Sequence, residues 1–206
     1  YFVLVEGALP AQVDSAREKW GMAMGPLNVM DLAGQDIGWK IRQRRKIEQP
    51  DRPYSAIPDL ICEMGRFGQK TGAGYYRYQD RKPVPDPEID ALIVRFSDRE
   101  GIERRTISDA EIVERCIFAL VNEGAKILEE GIAQRPSDID MVYVFGYGFP
   151  SERGGPMFYA ERRGLADVLD RIRTFEKLRH GWAWRPAPSL VERAKERPRI
   201  DARDVA

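Results

Sequence analysis

The chain has 206 residues, 43% of them hydrophobic, which is enough for one domain core or two small ones. Its 33 basic and 33 acidic residues cancel to a net charge of zero and are interspersed, so no global field draws in nucleic acid or an anionic membrane. No apolar run approaches the roughly 20 residues of a membrane helix, no charged, then apolar, then small-residue leader opens the chain, and two distant cysteines with a single histidine offer no metal cluster and fit a reducing cytoplasm.

Tyr1-Phe2-Val3-Leu4-Val5 reads as the end of an apolar helix without its beginning, so the chain is expected to be a piece of a larger protein. Pro10 opens a short helix through Trp20, its missing N–H costing nothing in the first turn, and Gly21 ends it. After Gly25-Pro26, the apolar residues Leu27, Met30, Leu32, Ile37 and Ile41 predict further helix, running into the basic stretch Lys40 to Lys46. The proline-rich stretch 49–58 predicts a loop, and 59–64 a short helix. The glycines between Gly65 and Gly74 exclude helix, and the tyrosines from Tyr75 to Tyr78 predict a brief extended segment packed on helices. Pro83-Val84-Pro85-Asp86-Pro87 is expected to be the linker between two units, spanning 1–82 and 83–206. A helix over 88–99 follows it. Ser108-Asp109-Ala110-Glu111 has the form of a capping box, and opens a long helix that Gly131 stops. Pro136-Ser137 starts another, 142–155 predicts an aromatic, glycine-rich turn, and helices over 156–178 and 188–196 complete a predominantly helical fold.

One segment occurs twice. Leu4-Val5-Glu6-Gly7-Ala8, Val13-Asp14 and Gly25-Pro26-Leu27 with Asp31 and Gly34 reappear as Leu128-Glu129-Glu130-Gly131-Ile132, Ile139-Asp140 and Gly155-Pro156-Met157 with Glu161 and Gly164. The order is kept, with a few extra residues around Ser151-Glu152-Arg153-Gly154 in the second copy, which implies duplication of a packing module.

The residues offer little catalytic chemistry. His180, near a predicted helix end, suits a capping or surface role. No nucleophile elbow, phosphate-binding lysine loop or zinc-binding helix motif is present. The loop Gly68-Gln69-Lys70-Thr71-Gly72-Ala73-Gly74 lacks the strand before and the ribose-binding acid after it that a dinucleotide site requires. It suits a structural clasp, with Lys70 a candidate anion contact. The basic run from Lys40 to Lys46 suits a solvated helix face, the alternative being contact with the phosphates of a ligand such as coenzyme A. The segment from Gly146 to Ala160 is too aromatic for an ordinary surface loop and predicts a packing or docking element.

Three stretches carry a resemblance: Met24 to Gly34, the Gly68 to Tyr76 loop, and Gly146 to Pro150 with Arg153 to Ala160. Together they resemble the C-terminal region of 3-hydroxyacyl-CoA dehydrogenases, above all the multifunctional fatty-acid oxidation enzymes in which an enoyl-CoA hydratase part precedes the dehydrogenase. The resemblance implies an all-α fold of two tandem helical domains of the 6-phosphogluconate and 3-hydroxyacyl-CoA dehydrogenase C-terminal type, without the NAD-binding Rossmann domain. It implies oxidation of 3-hydroxyacyl-CoA to 3-oxoacyl-CoA in β-oxidation, by a histidine and glutamate that belong to the Rossmann part. No catalytic residue and no cofactor are then expected on this chain, which alone should be inactive.

An Asn-Arg pair of the family would lie upstream of Tyr1, and the corresponding place in the second copy, near Glu114-Arg115, has no Asn. The first copy is implied to wall the acyl cleft, with Met24, Gly25, Pro26 and Asn28 as candidate lining. The second is implied to stand in for the partner subunit of single-function relatives. Implied partners are acyl-CoA and the enzyme's own Rossmann and hydratase domains, with self-association of the fragment through exposed apolar surface. The implied compartment is the cytoplasm in bacteria or the peroxisome in eukaryotes. The competing expectation is a free-standing helical module that docks proteins or acyl-CoA without catalysis.

Overall fold

The computed structural model describes residues 1–196, which form two compact units, Tyr1–Lys19 with Met24–Asp109, and Trp20–Ala23 with Ala110 onward. The first unit begins with α1, Phe2–Glu6, and α2, Pro10–Trp20, whose last residue belongs to the other unit. α3, Pro26–Ala33, and α4, Gln35–Glu48, divide at Gly34, whose φ of 100° is open to glycine and breaks the helix that apolar spacing alone would run through. α5, Ile57–Glu63, precedes a hairpin of β1, Tyr76–Gln79, and β2, Lys82–Pro85, paired antiparallel with Tyr76 opposite Pro85. Its two turn residues, Asp80 and Arg81, both have positive φ, the backbone that matches a tight hairpin to strand twist.

The expected boundary at 82/83 lies inside this unit. α6, Pro87–Arg99, turns fully buried Ile89 and Ile93 inward, and the following residues close over the end of α1. Ser97 Oγ donates to the Val5 carbonyl at 2.8 Å, Arg104 donates to the carbonyls of Leu4 at 2.6 Å and Gly7 at 3.0 Å, and Arg105 N–H donates to Glu6. Carbonyls at a helix end have no intrahelical donor, so this stretch supplies what α1 lacks. The polypeptide passes to the second unit after Asp109.

The second unit contains α7, Asp109–Glu129 from Ala110 on, then α8, Pro136–Gly146, α9, Pro156–Arg163, α10, Leu165–Glu176, and α11, Pro188–Glu196. α8 runs five residues into the expected turn, and the single helix expected over 156–178 breaks at Gly164, with the φ of 95° and ψ of 115° that mirror Gly34. Its core includes Ile112, Ile117, Phe118, Val121, Val168, Ile172 and Phe175. Trp20 packs edge-on against Phe149 and Tyr159, and the Arg153 guanidinium lies 4.3 Å over the Trp20 ring. Phe149, Met157 and Ala160 of the aromatic segment from Gly146 to Ala160 are thus packed into this unit, while its Tyr147 and Phe158 are exposed. His180 precedes the short 3-10 turn Gly181–Trp184.

Candidate functional site

The proline-led start of α3 is the place where the candidate lining residues gather. Met24 is 39% exposed, Gly25 is buried, and Pro26 and Asn28 are half-buried. Three of the first four N–H groups of a helix have no partner when proline takes one position. Here Asp14, from α2, accepts from Leu27 N–H at Oδ1 and from Asn28 N–H at Oδ2, both at 2.9 Å. Tyr76 Oη donates to Asp14 Oδ2 at 2.7 Å, which ties the hairpin to the same carboxylate. Burial raises the Asp14 pKa, and the Leu27 N–H, the Tyr76 hydroxyl and the Asn28 N–H oppose that rise while the charge of Glu18 adds to it. A Cβ on Gly25 would overlap the Asp14 side chain, which is why glycine stands there. Gly25→Ala should push the carboxylate off the helix start and cost about 1–2 kcal/mol, the range of a lost cap, read as a lower midpoint in urea unfolding. A midpoint equal to wild type would refute it.

The second unit repeats this device. Asp140 accepts from Met157 N–H at 2.7 Å and Phe158 N–H at 3.1 Å, and a Cβ on Gly155 would overlap Asp140. The outward residues differ. Val29, Leu32, Ile37 and Ile41 of the first unit are exposed apolar side chains, and counting from Gly25 and Gly155 the last three correspond to Arg162, Asp167 and Arg171.

Lys70 does not stand in an open cradle. Its Nζ is 2.5 Å from Asp36 Oδ1, and the hydrogen bond from Lys70 leads the effects that hold the Asp36 carboxyl below its ordinary value. The N–H groups of Gly68, Thr71, Gly72 and Gly74 donate to Ala73, Gly68, Gln69 and Tyr76 carbonyls within the loop and hairpin, and Thr71 Oγ1 donates across the loop. Those four amides are taken, and the loop follows α5 and leads into β1 where a dinucleotide site has a strand before and a helix after, so it does not fit a dinucleotide. In the basic run, Arg42 and Lys46 grip Asp59 at 2.5 and 2.6 Å and Arg44 pairs with Glu48 at 3.2 Å. Among the described residues no group of three or more metal-binding side chains comes together, and no helix is long and apolar enough to cross a membrane.

Sequence reasoning missed the residues that hold the candidate wall and its clasp. Besides Asp14, they are Asp31, fully buried and accepting from Gln35, Tyr75, Tyr76 and Tyr78, and Arg66, whose Nη2 is 2.5 Å from Asp86 Oδ2 and whose Nε donates to Gly74 O at 2.9 Å. The repeat carried the signal for the first, since Asp14 and Asp140 occupy matching places in both copies.

The family model for the 3-hydroxyacyl-CoA dehydrogenase C-terminal domain matches residues 1–78 and 112–202. The peroxisomal bifunctional enzyme of Danio rerio is 50% identical over 186 residues, covering 83% of this chain and 26% of that protein. The glyoxysomal fatty acid β-oxidation multifunctional protein MFP-a of Brassica napus is 34% identical, covering 95% of the chain and 28% of that protein. The chain thus spans about a quarter of the length of these curated relatives. The dehydrogenase part of multifunctional enzyme 1 from C. elegans superposes with a TM-score of 0.69 at 28% identity, over 90% of this chain and 42% of that one. Escherichia coli 3-hydroxybutyryl-CoA dehydrogenase shares the fold, with a TM-score of 0.70 at 18% identity over 93% and 55%. With the family model covering well over half of its residues, the chain belongs to the 3-hydroxyacyl-CoA dehydrogenase C-terminal domain family.

Proposed function

We propose that this chain works as the helical C-terminal part of an NAD-dependent 3-hydroxyacyl-CoA dehydrogenase, within a multifunctional β-oxidation enzyme that also carries an enoyl-CoA hydratase. The observation that carries this reading is the family match over 1–78 and 112–202, supported by the 50% identity to a peroxisomal bifunctional enzyme. In this reading NAD and the reacting acid-base pair belong to a Rossmann part, and the chain's own residues bind and orient. Met24, Gly25, Pro26 and Asn28 line the acyl side of the cleft, held in place by Asp14. The apolar side chains of Val29, Leu32, Ile37 and Ile41 cover a domain of the same enzyme, and self-association of the isolated chain follows where that cover is absent. The second unit supports the Rossmann part in the manner of a dimer partner. The names of the relatives favour the peroxisome in a eukaryotic source.

The test is NADH oxidation with acetoacetyl-CoA, run on this chain and on the full-length product of its gene. Activity in the full-length product and none in the 206-residue chain is expected. Activity in neither would favour a docking module, for which the same exposed apolar face speaks, and activity in the chain alone would put the acid-base pair on these residues.

A further inference from the structure

The two copies offer an internal comparison, because α2 and α8 are both 11 residues long, both start at proline and both carry the capping aspartate at the fifth position. Four residues further on, the first copy has Glu18 and the second has Val144. Glu18 is exposed, yet its Oε1 accepts the Gly25 N–H at 2.9 Å. With Asp14 taking Leu27 and Asn28, every backbone N–H that the stretch Gly25-Pro26-Leu27-Asn28 possesses ends on a carboxylate. Val144 has no acceptor to offer, so the second copy keeps the shared cap and lacks the additional tie. The same turn also differs in what it presents. Asn28 has a buried Oδ1 with no hydrogen-bond donor among the described residues, and its counterpart in the second copy is Phe158.

Glu18 is exposed and regains water when its bond to the Gly25 N–H breaks, whereas Gly25 is buried, so the bond adds a modest amount to the stability of the fold. It does restrict the peptide joining Met24 to Gly25. We infer that Glu18 is a positioning residue, present in the first copy alone, that fixes the Met24–Asn28 turn against the acyl-CoA substrate. The inference rests on the proposed dehydrogenase reading, in which that turn is the cleft wall. A wall held in one conformation lowers the ordering cost of binding, so its release shows in KM before kcat.

Two measurements test it together. In the 206-residue chain, Glu18→Ala should speed amide exchange at Gly25 by about tenfold while the thermal midpoint falls by no more than about 5 °C. In the full-length product, Glu18→Ala should raise KM for acetoacetyl-CoA about three- to tenfold with kcat changed less than about twofold. Glu18→Gln, whose side-chain oxygen still accepts the Gly25 N–H, should restore both toward wild type. Unchanged exchange at Gly25, an unchanged KM in an active enzyme, or failure of Gln to restore KM would each overturn the inference. A wild-type enzyme without dehydrogenase activity would remove the underlying reading and the inference with it, an outcome distinct from an active enzyme indifferent to Glu18.

Discussion

Replacing Asp31 by Ala should destabilise the first unit by about 3–5 kcal/mol, at the upper end of single-substitution effects. The carboxylate is fully buried and accepts four hydrogen bonds. Two come from the backbone N–H groups of Tyr75 and Tyr76, at 3.0 and 3.1 Å, where the chain enters β1. Each buried donor left without an acceptor costs about 1–3 kcal/mol, and water entering the vacated space recovers a part. The backbone crowds this residue as well, since a Cβ on Gly74 would overlap the Asp31 carboxylate and one on Gly68 its carbonyl. The loss should appear as a fall in the thermal midpoint on the order of 10 °C or more, with earlier proteolysis between residues 67 and 82. A midpoint within about 2 °C of wild type would refute this account of the clasp.

Arg66→Met should cost a similar amount, about 3–5 kcal/mol, because it leaves the buried Asp86 carboxylate without its main counter-charge. Asp86 also caps α6, accepting from Glu88 N–H at 3.1 Å, and Arg66 reaches Glu88 Oε2 at 3.2 Å. Burial works to raise the Asp86 pKa, but the Arg66 hydrogen bond, the Glu88 N–H and the charges of Arg66 and Arg77 outweigh it and hold the carboxyl below its ordinary value. A carboxyl depressed in the folded state contributes stability that is complete above its unfolded pKa, about 3.9, and that is lost as pH falls through the lower folded value. In Arg66→Met burial is left to raise the Asp86 carboxyl, so the stability gap between wild type and variant should hold near pH 7, begin to narrow as pH falls through that raised value, and go on narrowing toward the depressed wild-type value. Urea unfolding of both proteins across that range measures it. A gap that stays constant down to pH 3 would show that the loss comes from packing and not from the ion pair.

Much of the fold was legible because its signals are local. Prolines at the starts of α2, α8, α9 and α11 placed those helices, and the tyrosines after Gly74 announced an extended segment that proved to be β1. The failures came where the deciding partner is distant in sequence. Leu27 to Ile41 reads as one helix until Gly34 takes its positive φ, and residues 83–109 read as the opening of the second unit until Arg104 is seen to meet carbonyls some hundred positions earlier. The candidate wall was located from its resemblance to a family, whereas the side chains that hold it were hidden. Asp14, Asp31 and Arg66 are ordinary polar residues in sequence, and their importance comes from burial beside N–H groups and charges that only the folded chain assembles.

Capping α3 from a neighbouring helix also bears on the order of folding events. A helix of eight residues is too short to persist alone in water, and the usual local remedy is a side chain just before its first turn. Gly25 and Gly155 have no such side chain, so α3 and α9 wait for Asp14 and Asp140 to arrive with α2 and α8. Each pair should nucleate as one hairpin with short loop closure, giving two parallel starts per polypeptide and substitution effects at Asp14 and Asp140 that appear in refolding rates as well as in unfolding rates.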